Sequence, residues 1–207
     1  MKLRRIISWV VSFTMVGAGL LLIGFFFLGG TFPTLSSSDG EGSGGFNVPE
    51  IQSSSGGDDG GPEDKTLTLD VPGMERIEAD EIPTARGDDH DALRENAGIH
   101  LDGTGFPWQE ESNVYIAGHR LGYPASGSFL AFYDQQNLEE GDEIFVTDSE
   151  GAKYTYRVFD EFVTDGSDLS VTEPVEGKNI LTLQTCTLPD YSDRIITQAE
   201  LVEVVEA

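Results

Sequence analysis

The stretch Asn179-Ile180-Leu181-Thr182-Leu183-Gln184-Thr185-Cys186 predicts a β-strand that ends on the only cysteine of the chain. Successive side chains of a strand point to opposite faces, so Leu181 and Leu183 share one face. Gln184 and Cys186 share the other. We expect the leucines to fill the core and the thiol to look out from the end of the strand. A cysteine that acted only as a small buried hydrophobe would be expected on the leucine face.

Five further segments have the short, β-branched or aromatic pattern of strands bounded by turn residues. They are residues 65–71, 113–117, 142–147, 153–159 and 194–205. Only residues 88–97 and 127–137 are predicted to be helical. The pattern therefore indicates an all-β domain with few short helices, folded as a closed or nearly closed antiparallel sheet.

The composition is strongly acidic, with 12 Lys and Arg residues against 37 Asp and Glu residues and a net charge of −25. Affinity for DNA or RNA comes mainly from Lys and Arg that neutralise phosphates, so the composition argues against nucleic-acid binding. The chain has no Asp-rich calcium loop, and its single cysteine excludes a C-x-x-C motif. We expect a solvated acidic surface, as suits a saline habitat, with no metal site and no cofactor.

The hydrophobic residues are concentrated near the N-terminus. After the basic residues 1–5, residues 6–28 carry no charge, and at about 1.5 Å per residue they span roughly 30 Å of hydrocarbon. The run is longer than the core of a cleaved secretory signal, and Phe25, Phe26 and Phe27 stand where small residues would precede a cleavage site. We predict an uncleaved single-pass anchor in the cell membrane, with residues 1–5 in the cytoplasm and the rest of the chain outside.

Two segments follow the predicted anchor. Residues 29–64 are rich in Gly, Ser and acidic residues, and they predict a flexible linker with a root-mean-square span of roughly 30–35 Å. Residues 65–207 are long enough for one domain with a real core. A thiol outside the cell tends to oxidise or pair, so an unpaired Cys186 in such a domain points to a chemical role.

Three histidines are candidates for the base that would serve Cys186. His90 lies in an exposed acidic loop and is expected to be inert. His119 ends a predicted strand directly after Gly118, which permits tight backbone packing, and His100 precedes a turn-rich segment. From spacing alone, either His119 or His100 could pair with the cysteine. A serine nucleophile is disfavoured because no G-x-S-x-G motif occurs.

Residues 182–186, Thr-Leu-Gln-Thr-Cys, resemble the TLxTC signature of the sortase family, and Arg194 follows the cysteine by eight positions. Residues 113–120 resemble the N-x-x-x-A-G-H-R segment that carries the histidine of that family. The order of anchor, spacer and β-rich domain is similar as well, and the resemblance covers nearly all of residues 66–207. The His-Arg pair followed by Tyr123 is most similar to class E sortases of high-GC Gram-positive bacteria.

The resemblance implies a closed, eight-stranded sortase-type β-barrel and a membrane-anchored cysteine transpeptidase. Such an enzyme cleaves an LPxTG-like or, in class E, LAxTG-like C-terminal sorting signal between Thr and Gly. The acyl group passes to the cysteine as a thioester and then to an amine acceptor, usually a peptidoglycan precursor. The implied partners are surface proteins with sorting signals, that cell-wall amine and the membrane.

By position, the resemblance also assigns roles to five residues. Cys186 matches the nucleophile, His119 the general acid and base, and Arg194 the group that stabilises substrate and oxyanion. Thr185 matches the residue that hydrogen-bonds the reacting carbonyl. Tyr123 matches the residue that is linked to accepting Ala in the sorting signal.

A cysteine and a histidine suit this chemistry because the thiolate is the nucleophile and the imidazolium can protonate a leaving amine. Reference pKa values of about 8.5 and 6.5 favour the neutral pair by about 2.7 kcal/mol, so roughly 1% of molecules carry both charges. An always-charged arginine nearby offers donors to the developing oxyanion.

Two segments depart from the family pattern. Class E relatives often carry Thr-Thr-Tyr-Gly after the His-Arg pair, where residues 121–124 of this chain read Leu-Gly-Tyr-Pro. Residues 187–193 are acidic where relatives are often basic or neutral. The sorting motif and the acceptor amine therefore stay open, and the alternatives are a pilin-polymerising sortase or an inactive, membrane-tethered wall-binding β module.

Overall fold

The computed structural model describes residues 60–207, whose strands form one mixed sheet. In chain order the strands are β1 (Leu67–Asp70), β2 (Asp80–Ile82), β3 (Thr84–Ala85), β4 (Ile99–Leu101), β5 (Ser112–Ala117), β6 (Glu143–Thr147), β7 (Lys153–Asp165), β8 (Asn179–Cys186) and β9 (Asp193–Val205). The helical elements of these residues are α1 (His90–Glu95) and the 3-10 turns Gln135–Asn137 and Ser170–Thr172.

The strands lie in the order β2-β1-β6-β7-β9-β8-β5-β4-β3. The two end strands follow each other in sequence and are separated only by Pro83, so the sheet is nearly closed into a barrel. The predicted all-β barrel with few short helices is confirmed. The resemblance implies eight strands, and the described residues contain nine. Strands β2, β3 and β4 are absent from the predicted strands, because segments of two or three residues are too short to show an alternating pattern.

The sheet is mixed rather than antiparallel throughout. The pairs β5–β8 and β3–β4 are parallel, and the other neighbours are antiparallel. The expectation of a purely antiparallel sheet is therefore wrong at these two positions. Parallel neighbours need a long crossover connection, and β6 and β7 lie in the chain between β5 and β8.

One of the two predicted helices is present. Helix α1 begins after Asp89, whose side chain accepts a hydrogen bond of 2.9 Å from the Ala92 N–H and so caps the helix. The helix predicted over 127–137 is wrong, since only Gln135–Asn137 forms a 3-10 turn. The reason is local: Leu130 has a φ of 57°, a left-handed conformation that a right-handed helix cannot accommodate.

Strand β8 is buried on both faces. Leu181 and Leu183 belong to the larger hydrophobic cluster, which also holds Val114, Phe132 and Tyr156. The other face of β8 contributes to a second group of side chains, here called the cysteine cluster: Leu93, Ile99, Leu101, Tyr115, Ala117, Val171, Cys186 and Ile196. The barrel wall at β8 therefore separates two dry regions.

The start of β8 is held by Asn179. Its amide nitrogen donates to the carbonyl oxygens of Pro107 and Gln109 at 2.8 and 2.7 Å, and its amide oxygen accepts from the Tyr156 hydroxyl at 2.8 Å. One side chain thus joins β8, β7 and the segment that leads into β5.

Within residues 60–207 no helix is long and apolar enough to cross a membrane. Residues 1–59 lie outside the described residues. They include the predicted cytoplasmic segment 1–5, the predicted anchor 6–28 and most of the predicted linker 29–64.

We predict that Asn179→Ala lowers the free energy of unfolding by about 3 kcal/mol, because it removes three hydrogen bonds and leaves buried partners unpaired. Urea denaturation followed by circular dichroism measures the loss. The matched control is Asn137→Ala, whose side chain is exposed and makes one bond of 3.5 Å, and which should cost under about 0.5 kcal/mol. Equal losses in the two variants would show that Asn179 does not join these elements.

Candidate active site

The parallel pairing of β5 and β8 brings His119 and Cys186 to the same edge of the sheet. The register runs from Ser112 opposite Asn179 to Ala117 opposite Gln184. One residue further, the Gly118 N–H donates to the Gln184 carbonyl oxygen at 3.0 Å. The ladder ends at this bond, so His119 and Cys186 follow the last paired residues of two neighbouring parallel strands.

Two contacts hold the end of β5 in this position. The Thr185 hydroxyl donates to the Gly118 carbonyl oxygen at 2.9 Å, and the Phe132 N–H donates to the His119 carbonyl oxygen at 3.2 Å. A Cβ at Gly118 would overlap the Phe132 ring, so the tight packing expected at this glycine is confirmed. The backbone at Gly118 and His119 is therefore held by hydrogen bonds from Thr185 and from Phe132.

Arg194 approaches the cysteine from the other neighbouring strand. Strand β9 is antiparallel to β8, and its register places Arg194 directly opposite Cys186. The guanidinium is buried, and its Nη1 donates to the carbonyl oxygens of Tyr191 and Asp193, both at 3.0 Å. It lies so close to Gly166 that a Cβ there would be 3.0 Å from Cζ. Strand β8 thus lies between β9, which carries Arg194 opposite Cys186, and β5, whose end is followed by His119.

The thiol is covered. Cys186 is 1% exposed, so the prediction that the sulfur looks out from the strand end is wrong. The strand alternation itself is correct, since Cys186 lies on the face opposite the leucines. That face is covered by Leu93 of α1, by Val171 of the 3-10 turn Ser170–Thr172, and by Tyr191. A substrate reaches the sulfur only if part of this cover moves.

Burial makes the resting pair of side chains neutral. Desolvation raises the pKa of the Cys186 thiol to about 11, although the positive charges of Arg194 and Arg120 oppose the rise. Desolvation lowers the pKa of His119 to about 4, and the nearby charge of His90 adds to the effect. The gap between the two pKa values is wider than in water, so the thiol and the imidazole are both neutral at rest.

Tyr123 lies on the surface beside His119. Its ring meets the imidazole edge-on, with ring centroids 5.5 Å apart and an interplanar angle of 89°. The side chain is 45% exposed, and the Arg94 guanidinium lies over its face at 5.4 Å. Tyr123 is therefore an accessible aromatic surface next to the imidazole.

Thr185 is fully buried, and its hydroxyl proton is committed to the Gly118 carbonyl oxygen. A hydrogen bond from this hydroxyl to a substrate carbonyl would require the Thr185 side chain to rotate away from that acceptor. In this structure Thr185 joins the ends of β8 and β5.

His100 is a structural residue. Its Nε2 donates to the Gly105 carbonyl oxygen at 2.9 Å, which leaves Nδ1 to accept from the Thr84 hydroxyl at 3.1 Å. Its neighbours Ile99 and Leu101 belong to the cysteine cluster, so His100 points to the opposite face of β4. Of the two histidines that spacing left open, His119 follows the strand that pairs with β8, whereas His100 lies on the face of β4 away from the cysteine cluster.

Arg120 is a residue of the site to which the sequence analysis gave no chemical role. It was noted only as part of the His-Arg pair, yet its Nη1 lies 3.4 Å from the Cys186 carbonyl oxygen. Its signal in the sequence is its position directly after His119. Within residues 60–207 no group of three or more His, Cys, Asp and Glu side chains is arranged to hold a metal ion.

Comparison with known proteins places this geometry in a family. The model of the Sortase domain matches residues 69–202. The chain is 29% identical over 96 residues to sortase A of Streptococcus agalactiae serotype III (strain NEM316), a match that covers 46% of this chain and 38% of that relative. The match to that relative therefore spans well under half of its length.

Solved structures are similar over a larger share of the chain. The sortase C2 of Group B Streptococcus pilus island 1 matches with a TM-score of 0.57 and 25% identity, over 69% of this chain and 77% of that one. A sortase D5 transpeptidase of Clostridium perfringens matches with a TM-score of 0.54 and 27% identity, over 67% and 79% of the two chains.

We predict that His100 makes stability fall in acid. Burial lowers the pKa of His100 to about 4 in the folded chain, against about 6.5 in the unfolded chain. Its contribution is therefore complete above pH 6.5 and is lost as the pH falls towards 4, by about 2–3 kcal/mol at pH 4.5. Urea denaturation at pH 7 and pH 4.5 measures this loss.

The control for this prediction is His100→Gln, which keeps a polar side chain but does not titrate. The variant should lose about 2–3 kcal/mol less than the wild type between the two pH values, since all other titrating groups are shared. The same loss in both proteins would contradict the assignment.

Proposed function

The chain belongs to the sortase family of cysteine transpeptidases, and from this premise we propose that it cleaves an LPxTG-like or LAxTG-like sorting signal between Thr and Gly. The observation that carries the proposal is the register of three neighbouring strands. Two pairings support the proposal: β9 carries Arg194 opposite Cys186, and β5, which is parallel to β8, is followed by His119.

In the proposed acylation step, the Cys186 sulfur attacks the Thr carbonyl carbon of the signal. The thiol proton passes to His119, which is neutral at pH 7 and gains basicity when movement of the cover relieves the desolvation that lowers its pKa. The C–S bond forms, the Thr–Gly C–N bond breaks, and His119 gives the proton to the leaving amine. The product is a thioester on Cys186 and a released fragment with an N-terminal Gly.

In the second step an amine acceptor attacks the thioester carbonyl. A C–N bond forms, the C–S bond breaks, and the proton lost by the amine passes through His119 back to the sulfur. No net redox change occurs, and the enzyme returns to its neutral resting pair. The proposed acceptor is the amine of a cell-wall precursor.

Arg194 is proposed to stabilise the oxyanion of both steps. The carbonyl oxygens of Tyr191 and Asp193 and the bare backbone of Gly166 fix its guanidinium before substrate arrives. Donors that are oriented in advance and shielded from water stabilise developing charge more strongly than mobile, hydrated ones.

Tyr123 supports the proposal of a class E specificity. The ring is exposed and adjacent to His119, where a residue of the bound signal would pass on its way to the sulfur. The proposed role is contact with the Ala of an LAxTG-like motif. Thr185 is proposed to assist substrate binding once its hydroxyl leaves the Gly118 carbonyl oxygen.

The proposed setting of the enzyme is the outer face of the cell membrane. Residues 6–28 would anchor the chain, residues 29–64 would act as spacer, and residues 65–207 would form the extracellular catalytic domain. This part of the proposal rests on the charge and hydropathy of the sequence. The partners would be surface proteins with C-terminal sorting signals, the amine acceptor and the membrane.

A pilin-polymerising reaction is the second candidate. The similar structure from Group B Streptococcus is named for a pilus island. In that reaction the same thioester would be resolved by a lysine amine of a pilin. An inactive wall-binding module is less well supported, because binding alone does not need Cys186, His119 and Arg194 at one edge of the sheet.

We predict that the purified full-length chain, in detergent, cleaves quenched fluorescent LAxTG and LPxTG peptides and transfers the acyl group to added amines. Cys186→Ala should abolish cleavage. His119→Ala and Arg194→Ala should each lower kcat/KM at least about 100-fold, as expected for loss of an acid–base group or an oxyanion donor. Fluorescence measures cleavage, and mass spectrometry identifies the transfer product.

The matched control is Arg157→Ala, which removes an exposed arginine paired with Glu143 and should leave kcat/KM within about twofold of the wild type. Peptide binding without turnover would favour the wall-binding module. Preference for a pilin lysine over a cell-wall amine would favour the pilin-polymerising enzyme, and preference for LPxTG would contradict the class E specificity alone.

Gly166 provides a separate test of Arg194. A methyl group at position 166 would displace the guanidinium by a few tenths of an ångström, so we predict that Gly166→Ala lowers kcat by about threefold. Its free energy of unfolding should stay within about 1 kcal/mol of the wild type, because the glycine has no positive φ to be strained. In an Arg194→Lys background the same change should add little. A full additional loss there would mean that Gly166 acts independently of Arg194.

A further inference from the structure

A buried cation lies against the backbone of the reactive cysteine. Arg120 is 7% exposed, and its Nη1 donates to the Cys186 carbonyl oxygen at 3.4 Å. The Tyr133 ring lies 5.9 Å from its Cζ and covers one side of the guanidinium. The contact reaches the end of β8 at the residue that carries the nucleophilic sulfur.

The guanidinium is oriented from a second direction by the 3-10 turn Gln135–Asn137. Its Nη2 donates to the side-chain oxygen of Gln136. The preceding Gln135 is fully buried, and its amide nitrogen donates to the carbonyl oxygens of Leu183 and Ile195 at 3.1 and 3.2 Å. The turn is thereby attached to β8 and β9, so Arg120 is held against the same pair of strands that presents the cysteine.

The charge of Arg120 is not neutralised within the described part of the chain. The ion pairs found in residues 60–207 involve other basic side chains, and the Nε of Arg120 is buried without a hydrogen-bond partner. Burying an unpaired cation costs free energy. A negative charge that forms nearby would offset this cost, and the group that gains such a charge here is the Cys186 thiol.

We propose that Arg120 is a positioning residue for Cys186. Its guanidinium holds the end of β8 through the Cys186 carbonyl oxygen, and its uncompensated positive charge stabilises the Cys186 thiolate when that thiolate forms. The inference rests on the proposed function, in which that thiolate attacks the sorting signal. The proposed action of Arg120 passes through Cys186, whose backbone it contacts.

Other titratable or charged groups face the sulfur from the elements packed around it. Arg194 lies opposite Cys186 on β9, and Tyr115 of β5 and Tyr191 of the segment between β8 and β9 pack in the cysteine cluster. His119 follows the end of the neighbouring β5. Helix α1 and the 3-10 turn Ser170–Thr172 contribute apolar side chains there. Among these groups the two arginines favour the thiolate, and Arg194 is unchanged in every variant of the test below.

The test is the rate of alkylation of Cys186 in the full-length chain between pH 6 and pH 10. The chain has one cysteine, so no other thiol competes. Arg120→Gln should slow alkylation by neutral iodoacetamide about tenfold, the effect of one pKa unit on the thiolate fraction. Alkylation by anionic iodoacetate should be slowed further, because the variant also lacks the positive charge that attracts this reagent in the wild type. Arg157→Gln removes the same charge from the surface and should change neither rate.

Arg120→Lys separates charge from geometry. The lysine keeps the positive charge, so alkylation should stay within about threefold of the wild type, whereas peptide turnover should fall about tenfold because an ammonium cannot replace the planar fork. If Arg120→Gln does not fold, Gln136→Leu replaces it. Gln136→Leu removes the hydrogen bond that orients the Arg120 guanidinium and should lower turnover. Asn137→Leu in the same turn removes no such bond and should leave turnover unchanged.

Wild-type alkylation rates in Arg120→Gln, or equal slowing of iodoacetamide and iodoacetate, would overturn the electrostatic role. Full turnover in Arg120→Lys and in Gln136→Leu would overturn the positioning role. If Arg120→Gln slows alkylation as expected but the wild-type chain cleaves no sorting peptide, the proposed function is overturned. The effect of Arg120 on the thiolate would then still stand.

Discussion

The candidate site depends on the parallel pairing of β5 with β8. Strands that run in the same direction end at the same edge of a sheet, so the residues that follow them meet there. Gly118 makes this pairing tight, because its N–H is bonded to Gln184, its carbonyl to Thr185, and its missing side chain leaves room for Phe132. A shift of one residue would turn either His119 or Cys186 to the wrong face of the sheet. The antiparallel β9 then completes the site from the other side of β8.

The same packing that defines the site opposes its chemistry. The cysteine cluster removes water from the sulfur and raises the pKa of Cys186, while burial lowers the pKa of His119. The positive charges of Arg194 and Arg120 partly oppose the rise in the pKa of the Cys186 thiol. The resting site is therefore neutral and dry. Movement of the cover would admit both substrate and solvent, and would relieve the desolvation that keeps the ion pair from forming.

Sequence patterns predicted the elements that have many residues to reveal them. The six predicted strands are present, and each has at least four residues rich in β-branched, aromatic or leucine side chains. Strands β2, β3 and β4 were missed because two or three residues show no period, and they are held by pairing rather than by propensity. The helix over 127–137 was predicted from composition, but the left-handed Leu130 and the contacts of Gln135 with β8 and β9 decided that segment. The exposure of Cys186 was misjudged because alternation gives the face of a strand and not what covers that face.

The sequence by itself determined the fold class, the family signature over 182–186, and the identity of the candidate nucleophile, since one cysteine leaves no choice. It also supplied His119 and Arg194 through their position in family motifs. Only the tertiary structure gave His100 its hydrogen bond to Gly105, placed Arg120 on the Cys186 carbonyl oxygen, and laid the Arg194 guanidinium against Gly166. The physical reason is the range of the interactions. Alternation and motif spacing are local properties of the chain, whereas register, burial and uncompensated charge arise between residues that are distant in sequence and meet only when the barrel forms.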